Sequence, residues 1–361
     1  MLYPYLRPLL FSLDPEQAHH SALKAVSLLQ KAGAAAIAPL SDPHLSQELW
    51  GLRFPNPVGL AAGYDKNAVA PLAWSALSFG FAELGTITAR PQPGNPRPRI
   101  FRLERDQALI NRLGFNNDGA HAVAARLTRT LPPGRSHPIP LGINIGKSKA
   151  TPLEQAVEDY VESLEQLFPF ADYLVVNVSS PNTPELRKLQ ESTRLQKLLE
   201  TLMAANRRFA LPRHTQPKPV LVKIAPDLSD EEVVEIAGIA LATGVAGLIA
   251  TNTTITRPPT LRTASQEEGG LSGRPVEARA LAVMRLLFRT VGGKLPLIGV
   301  GGIFSVEDAY ARFCAGASLI QLYTGLIYEG PFLPRRIVRG LRMRVLTEGF
   351  AHIRDVVGRD A

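Results

Sequence analysis

A single cysteine, Cys314, in 361 residues leaves no partner for an intramolecular disulfide and no thiolate set for a multi-cysteine zinc or iron–sulfur centre. Such sparing use points to a reducing compartment. No run of about 18 apolar residues without charge occurs, so no membrane-spanning helix is expected. The first residues also lack the apolar core and small-residue cleavage site of a signal peptide. No G-x-G-x-x-G turn follows the first apolar segment, which removes the dinucleotide fingerprint, and no G-x-S-x-G marks a hydrolase nucleophile. The seven histidines include the adjacent pair His19 and His20, but none is spaced with carboxylates as metal ligands are. No metal centre is expected. Internal repeats and low-complexity stretches are missing as well.

What is present is an ordinary globular composition, 45% hydrophobic and 20% charged, with a net charge of +8. A basic balance suits nucleic acid or an anionic membrane. Half of it lies in the tail, however: from Arg335 onward seven arginines stand against Glu348, Asp355 and Asp360. A solvated helix face explains this, and a membrane- or phosphate-facing patch is the sharper alternative.

Eight short apolar segments, at 58–63, 82–88, 139–146, 173–179, 220–225, 247–253, 295–302 and 319–324, alternate with stretches of helical periodicity. Helices are predicted over 151–168, opening with Thr-Pro and Glu154, and over 230–243, preceded by Ser229. Eight strands alternating with helices predict a parallel sheet closed into a (β/α)8 TIM barrel with an N-terminal helical extension. The expected division is 1–45 as an amphipathic helical piece, 46–345 as the barrel and 346–361 as a basic tail. Two long intervals, 89–138 and 254–270, are candidate lids or substrate loops at strand ends. In 15–33, Ala18, Ala22, Ala25, Val26 and Leu29 recur at helical spacing, and 2–11 is short, apolar and aromatic. Packing on the barrel and lying in a membrane interface both fit these two segments.

The strand ends carry the chemistry. The fourth runs into Asn177-Val-Ser-Ser-Pro-Asn182-Thr, two amides and two hydroxyls on one turn, able to read a flat polar ligand while presenting a serine. A plain chain-reversing turn is the alternative. The first ends in Ala61-Ala-Gly-Tyr-Asp-Lys66, where Gly63 permits close approach and Lys66 offers a cation to an anion. The second gives Thr86 and the third Asn144. The fifth buries Lys223 in an apolar run, where an unpaired charge is expensive and an anionic partner is required. The sixth ends in Thr251-Asn-Thr253. The seventh and eighth end in Gly299-Val-Gly-Gly302 and Tyr323-Thr-Gly325, at the two strands whose loops bind phosphate in many barrels. One phosphate site without a dinucleotide crossover implies a mononucleotide cofactor.

Together these motifs resemble the class 2, quinone-dependent dihydroorotate dehydrogenases over nearly the whole chain. They include Ala61-Ala-Gly, Arg90-Pro-Gln-Pro-Gly-Asn95, Asn111-Arg-Leu-Gly-Phe-Asn-Asn117, Gly142-Ile-Asn-Ile-Gly-Lys147, Ser179-Ser-Pro-Asn-Thr-Pro184, Lys223-Ile-Ala-Pro-Asp227, Ala250-Thr-Asn-Thr-Thr254, Gly269-Gly-Leu-Ser-Gly-Arg-Pro275 and Gly299-Val-Gly-Gly-Ile303. The resemblance implies FMN-dependent oxidation of dihydroorotate to orotate in pyrimidine synthesis, with a membrane quinone as acceptor. It makes Ser180 the base at C5, with Thr183 and Phe115 along the proton exit. It assigns the substrate to Lys66, Asn111, Arg112, Leu113, Gly114, Phe115, Asn177, Asn182, Asn252 and Thr253. It assigns FMN to Ala62, Gly63, Tyr64, Asp65, Lys66, Thr86, Asn144, Asn177, Lys223, Thr251, Gly273, Gly302, Tyr323 and Thr324, and the quinone tunnel to His19 and Arg102. It further implies a monomer without a nucleic-acid partner, held peripherally on the cytoplasmic side of a bacterial inner membrane.

The physics agrees with one reservation. Asparagines and a lysine complement a planar carboxylate that aspartates would repel. Serine, however, is a weak general base, and no histidine or carboxylate is evident beside Ser180, so a water chain must carry the proton away. Tyr64 departs from the leucine of many relatives and Thr324 from serine, and the basic tail from about Arg342 is longer than the pattern requires. Two rivals are another flavin barrel, tRNA dihydrouridine synthase, which needs an active-site cysteine, and a flavin-free phosphate-binding barrel.

Overall fold

The eight apolar segments become eight parallel strands, Val58–Leu60, Phe81–Ile87, Leu141–Ile145, Tyr173–Asn177, Val220–Ile224, Gly247–Ala250, Leu297–Val300 and Leu319–Leu322. Each pairs with its successor, and the eighth pairs with the first through Ile320 opposite Val58, so the sheet is a closed barrel. The computed structural model describes residues 3–131, 137–183, 185–263 and 265–361. The expected TIM barrel with an N-terminal helical extension is therefore what the chain forms.

Most strands stop short of their apolar segments. The sixth ends at Ala250, and Thr251, Asn252 and Thr253 leave the ladder to form the mouth. A residue aimed at a cavity cannot also continue the ladder, so the missing ends are the functional loops.

The helix Asp230–Thr243 begins and ends as predicted. Ser229 Oγ accepts from the Glu232 N–H at 3.2 Å, the Glu232 carboxylate accepts from the Ser229 N–H at 2.7 Å, and Gly244 closes the helix at φ 71°. The helix predicted from 151 starts later, as Ala156–Leu167 behind a short 3-10 turn. Thr151 is occupied elsewhere, its hydroxyl donating to Asp159 at 2.6 Å and its carbonyl accepting from Lys147.

At its N-terminal end the barrel is plugged by a hairpin, Gln47–Leu49 with Leu52–Phe54. Phe54, Phe81, Tyr173, Leu221, Ile249, Ile298 and Leu319 fill the interior above it. Further up, the inward residues turn polar: Glu83, Asn144, Lys223 and Gln321 are all buried.

Part of the interval 89–138 is regular strand. Ile100–Leu103 and Ala108–Asn111 pair as an antiparallel hairpin and Gly270–Gly273 adds a third strand. This small sheet roofs the mouth around Leu103, Ala108, Ile110 and Leu271. The C-terminal residues are docked rather than free. Ile353 and Val356 are buried, the Gly358 N–H donates to Phe313 O at 3.0 Å and that of Asp360 to Cys314 O at 2.8 Å. Cys314 closes the helix Val306–Cys314, away from the mouth, and burial pushes its thiol up to about 11.

Two helices precede the barrel, α1 (Tyr3–Ser12) and α2 (Pro15–Lys31); Leu2 of the expected apolar segment lies outside the described residues. Asp14 caps α2 by accepting from the Glu16 and Gln17 N–H groups. Glu16, only 5% exposed, meets Arg99 in a two-pronged contact of 2.7 to 3.2 Å and Arg97 at 3.1 Å. Burial alone would raise this carboxyl, but the hydrogen bonds and charge of Arg99, with those of Arg97, outweigh it and hold it at about 2. The stabilisation is thus present above the ordinary value of 4.5 and is lost as pH falls from there towards 2. Glu16→Gln is expected to reduce docking of the helix pair by on the order of 3 kcal/mol at neutral pH. Hydrogen exchange in α2 should quicken, and the difference from wild type should fade between pH 4.5 and 2.

Candidate active site

A cavity of about 720 Å³ opens at the C-terminal mouth of the barrel, inside the usual range of roughly 300–1,000 Å³ for ligand pockets. It is continuous from Ser180, Asn177 and Asn252 on the floor, past Tyr64 and Tyr323, to Leu29 of α2 and Phe332 at the outer end. The floor is polar and built by strands; the outer half is apolar and built by helices.

The floor rests on Glu83, which is fully buried. Its carboxylate accepts from Asn144 Nδ2 at 2.7 Å and Gln321 Nε2 at 2.5 Å, and Lys223 Nζ lies 3.8 Å away. At that distance the lysine makes no hydrogen bond to the carboxylate. Lys223 lines the cavity, so its donors are open to a ligand. Asn144 Oδ1 accepts from Thr86 Oγ1 at 2.6 Å, and Thr86 Oγ1 accepts in turn from Asn177 Nδ2 at 2.9 Å. Asn177 Oδ1 accepts from Ser179 Oγ at 2.9 Å, and Asn252 Nδ2 donates to Ser179 Oγ at 2.8 Å. Each amide is therefore fixed in orientation by its neighbour. Thr251 Oγ1 is buried without a partner among the described residues and borders the cavity, as a group awaiting a polar ligand does.

Ser180 is 5% exposed, and its Oγ accepts from the Asn182 N–H at 3.3 Å. No histidine or carboxylate hydrogen-bonds it among the described residues. Thr183, three residues on, has a buried hydroxyl without a partner among the described residues. The loop is stapled from outside by Arg187, which donates to Ser179 O and Thr253 O, both at 3.2 Å, and pairs with Asp227 at 2.9 Å. Across the floor, Asn182 Nδ2 donates to Asn111 Oδ1 at 3.2 Å. Lys66 also borders the cavity; burial first, and then Arg99, pushes its ammonium down to about 8, with Glu16 and Asp65 acting against.

The structure gathers most of the expected residues around this one space. Ala62, Gly63, Tyr64, Gly273, Gly302, Tyr323, Thr324, Leu113, Gly114 and Phe115 all line it. Three stand behind it. Asp65 accepts from the Val69 and Ala70 N–H groups and shapes the turn that carries Lys66. Asn144 reaches the cavity only through Thr86 and Asn177. Arg112 braces the roof, bonded to Glu267 at 2.6 Å and lying over the Phe101 ring at 4.6 Å. Sequence reading missed Glu83, Gln321, Ser179 and Arg187. A charged residue inside the apolar run Phe81-Ala-Glu-Leu is the signal that singled out Lys223, and it was equally available for Glu83.

The loops after the last two strands make a cradle. Gly301 and Gly302 stand at φ 104° and 70°, and neither donates its N–H to a backbone acceptor among the described residues. A Cβ on Gly302 would meet that of Glu277 at 2.5 Å, and one on Gly325 the Ile303 carbonyl at 2.0 Å. These free N–H groups fit a phosphate.

In the outer half, His19 packs edge-to-face on Tyr64 at 5.0 Å, and burial, then Lys66 and His20, pushes its imidazole down to about 3, so it is neutral. Arg102 donates to Phe11 O at 2.9 Å and Leu13 O at 2.8 Å, holding the end of α1. Tyr3 hydrogen-bonds Ile327 O at the other end. Both expected tunnel residues thus lie where the helix pair meets the barrel. Beyond them, Tyr5, Leu9, Leu28 and Phe332 are exposed, from 55% to 84%.

A family model described as dihydroorotate dehydrogenase matches residues 44–345. The dihydroorotate dehydrogenase (quinone) of Acidithiobacillus ferrooxidans is 52% identical over 368 positions, covering 100% of both chains. That of Gloeobacter violaceus is 52% identical over 361 positions, covering 99% of this chain and 98% of the relative. Among solved structures, the dihydroorotate dehydrogenase of Eimeria tenella in complex with ferulenol superposes with a TM-score of 0.86 at 42% identity, covering 96% of each chain.

The lowered Lys66 gives the floor a pH limit. Below about 8 it is a cation and attracts a carboxylate; above, the charge is lost. Orotate affinity, measured by calorimetry, is expected to fall about tenfold per pH unit above that point. Lys66→Met should weaken binding about 10- to 100-fold at pH 7 and flatten the profile.

Proposed function

On the premise that the chain belongs to the dihydroorotate dehydrogenase family, we propose how its cavity divides the work of the quinone-dependent reaction. That reaction is the oxidation of dihydroorotate to orotate with a quinone as acceptor, the redox step of pyrimidine synthesis. The observation that carries the proposal is one continuous cavity with an asparagine-and-serine floor and an apolar outer half.

FMN fits the middle of this cavity. Lys223 and Thr251 offer donors to a polar ring edge, with Thr86 and Asn177 beside them; Ala62, Gly63 and Tyr64 lie along the wall; Gly302, Gly273, Tyr323 and Thr324 surround the phosphate cradle. Bound there, FMN would supply a two-electron acceptor for the hydride at C6 and a store of electrons for the quinone. Dihydroorotate occupies the floor, its carboxylate near Lys66 and its amide edges against Asn111, Asn177, Asn182, Asn252 and Thr253. Ser180 removes the proton from C5. Its hydroxyl accepts from the Asn182 N–H, which favours developing negative charge on Oγ. Water carries the proton away along an exit lined by Thr183 and Phe115. The roof strands and Leu113-Gly-Phe115 keep bulk water out.

Residues 1–45 form the quinone and membrane piece. The neutral His19 and the carbonyl-bound Arg102 leave the tunnel without a bare charge, as an apolar quinone tail requires. Among the described residues no helix is long and apolar enough to cross a membrane. The exposed Tyr5, Leu9, Leu28 and Phe332 suit a monomer resting on the cytoplasmic side of a bacterial inner membrane. The tail 346–361 packs against the helix Val306–Cys314 and the segment leading into the hairpin.

The purified protein should be yellow and bleach with dihydroorotate under anaerobic conditions. Ser180→Ala is expected to bind FMN and orotate normally while flavin reduction slows about 10²- to 10⁴-fold at neutral pH; near-normal stopped-flow rates would refute the base assignment. Deleting residues 1–40 should leave flavin reduction within about threefold and remove most quinone reduction. Unchanged quinone kinetics would end the tunnel reading.

A further inference from the structure

Arg312 is the largest buried cation that the reaction as described leaves unused. It lies on the inner face of the helix Val306–Cys314, is 1% exposed, and does not border the cavity. Its Nη2 donates to Gly301 O at 2.6 Å and to Glu277 O at 3.0 Å, and its Nη1 is buried without a partner among the described residues. No carboxylate pairs with it there either, although Glu277 and Asp308 are near enough to act through charge. A buried guanidinium spent on backbone carbonyls is costly as a structural device. The carbonyl it grips identifies what it does.

Gly301 O and the Gly302 N–H belong to one trans peptide unit, in which the two groups point in opposite directions. Pulling Gly301 O back towards the helix therefore turns the Gly302 N–H forward, into the cavity that both glycines line. That N–H has no backbone acceptor among the described residues. Two successive glycines at positive φ would otherwise let this peptide flip with little resistance, because glycine populates both signs of φ. We propose that Arg312 is the positioning residue of the phosphate cradle: it locks the Gly301–Gly302 peptide with its N–H towards the ligand and adds a fixed positive charge behind it. This rests on the FMN reading above and extends it to a residue outside the cavity.

The device acts on the phosphate and not on the flavin ring, which gives the test. Full-length apoprotein, stripped of flavin, is titrated with FMN and, separately, with riboflavin, which lacks the phosphate, following the quenching of flavin fluorescence. Arg312→Met is expected to weaken FMN about 10- to 100-fold and riboflavin less than twofold, as loss of charge-assisted hydrogen bonding predicts. Arg312→Lys, which keeps the charge and one donor for Gly301 O, should recover most of the preference for FMN. If Arg312→Met does not fold, Arg312→Gln, neutral and two bonds shorter, is expected to show the same selective loss. Equal losses for FMN and riboflavin, or an unchanged preference in a folded neutral variant, overturn the assignment. A wild-type apoprotein that binds riboflavin as tightly as FMN overturns the phosphate cradle itself, and Arg312's role with it.

Discussion

Glu83 has no exposed surface, and a carboxylate so placed must be met from all sides or neutralised. Asn144 meets it from the adjacent strand and Gln321 from the strand beyond Val58–Leu60, and Lys223 approaches without closing a hydrogen bond. Once Asn144 has given its amide to Glu83, its carbonyl is left for Thr86, and Thr86 is left to accept from Asn177. The orientation of the floor is thus inherited from one buried charge two layers below. Aromatic and aliphatic side chains beneath it seal the barrel against the hairpin, so water cannot relieve the charge from that side.

Above the floor the construction changes. Strands hold polar atoms rigidly, which suits proton and hydride movements that tolerate little displacement. Helices α1 and α2 supply an apolar sleeve, which suits a partner recognised by its lack of polarity. The two halves meet at Tyr64, whose ring touches His19 on one side and Tyr323 on the other, at 5.0 and 5.6 Å. Tyr323 in turn bonds Gly63 O at 3.3 Å.

Much of the barrel was legible because buried parallel strands read as continuous apolar runs, and Ser229 and Glu232 announce their helix directly. The residues on the cavity wall were legible through motifs at strand ends. Legibility failed where a residue's task depends on distant partners. Arg99 lies in what read as a lid and closes on Glu16, 83 positions away. Arg187, outside the matching motifs, staples two loops. Asp65 and Arg112 sit inside matching motifs but face away from the cavity, because a motif records adjacency in the chain and not direction in space. The roof strands escaped for a related reason: Gly270–Gly273 is too short and glycine-rich to read as a strand until its partner is known.

The contacts that fasten α1 to the rest run mainly from side chains to main-chain oxygens. Arg102 reaches Phe11 O and Leu13 O, Tyr3 reaches Ile327 O, and Arg7 reaches Tyr328 O. The apolar side chains facing the sleeve, among them Leu6, Leu10 and Leu29, take no part in those hydrogen bonds. Lineages can therefore exchange one for another and reshape the bore without unseating the helices. Selective blockers of this outer chamber should accordingly meet resistance there sooner than any compound directed at the asparagine floor.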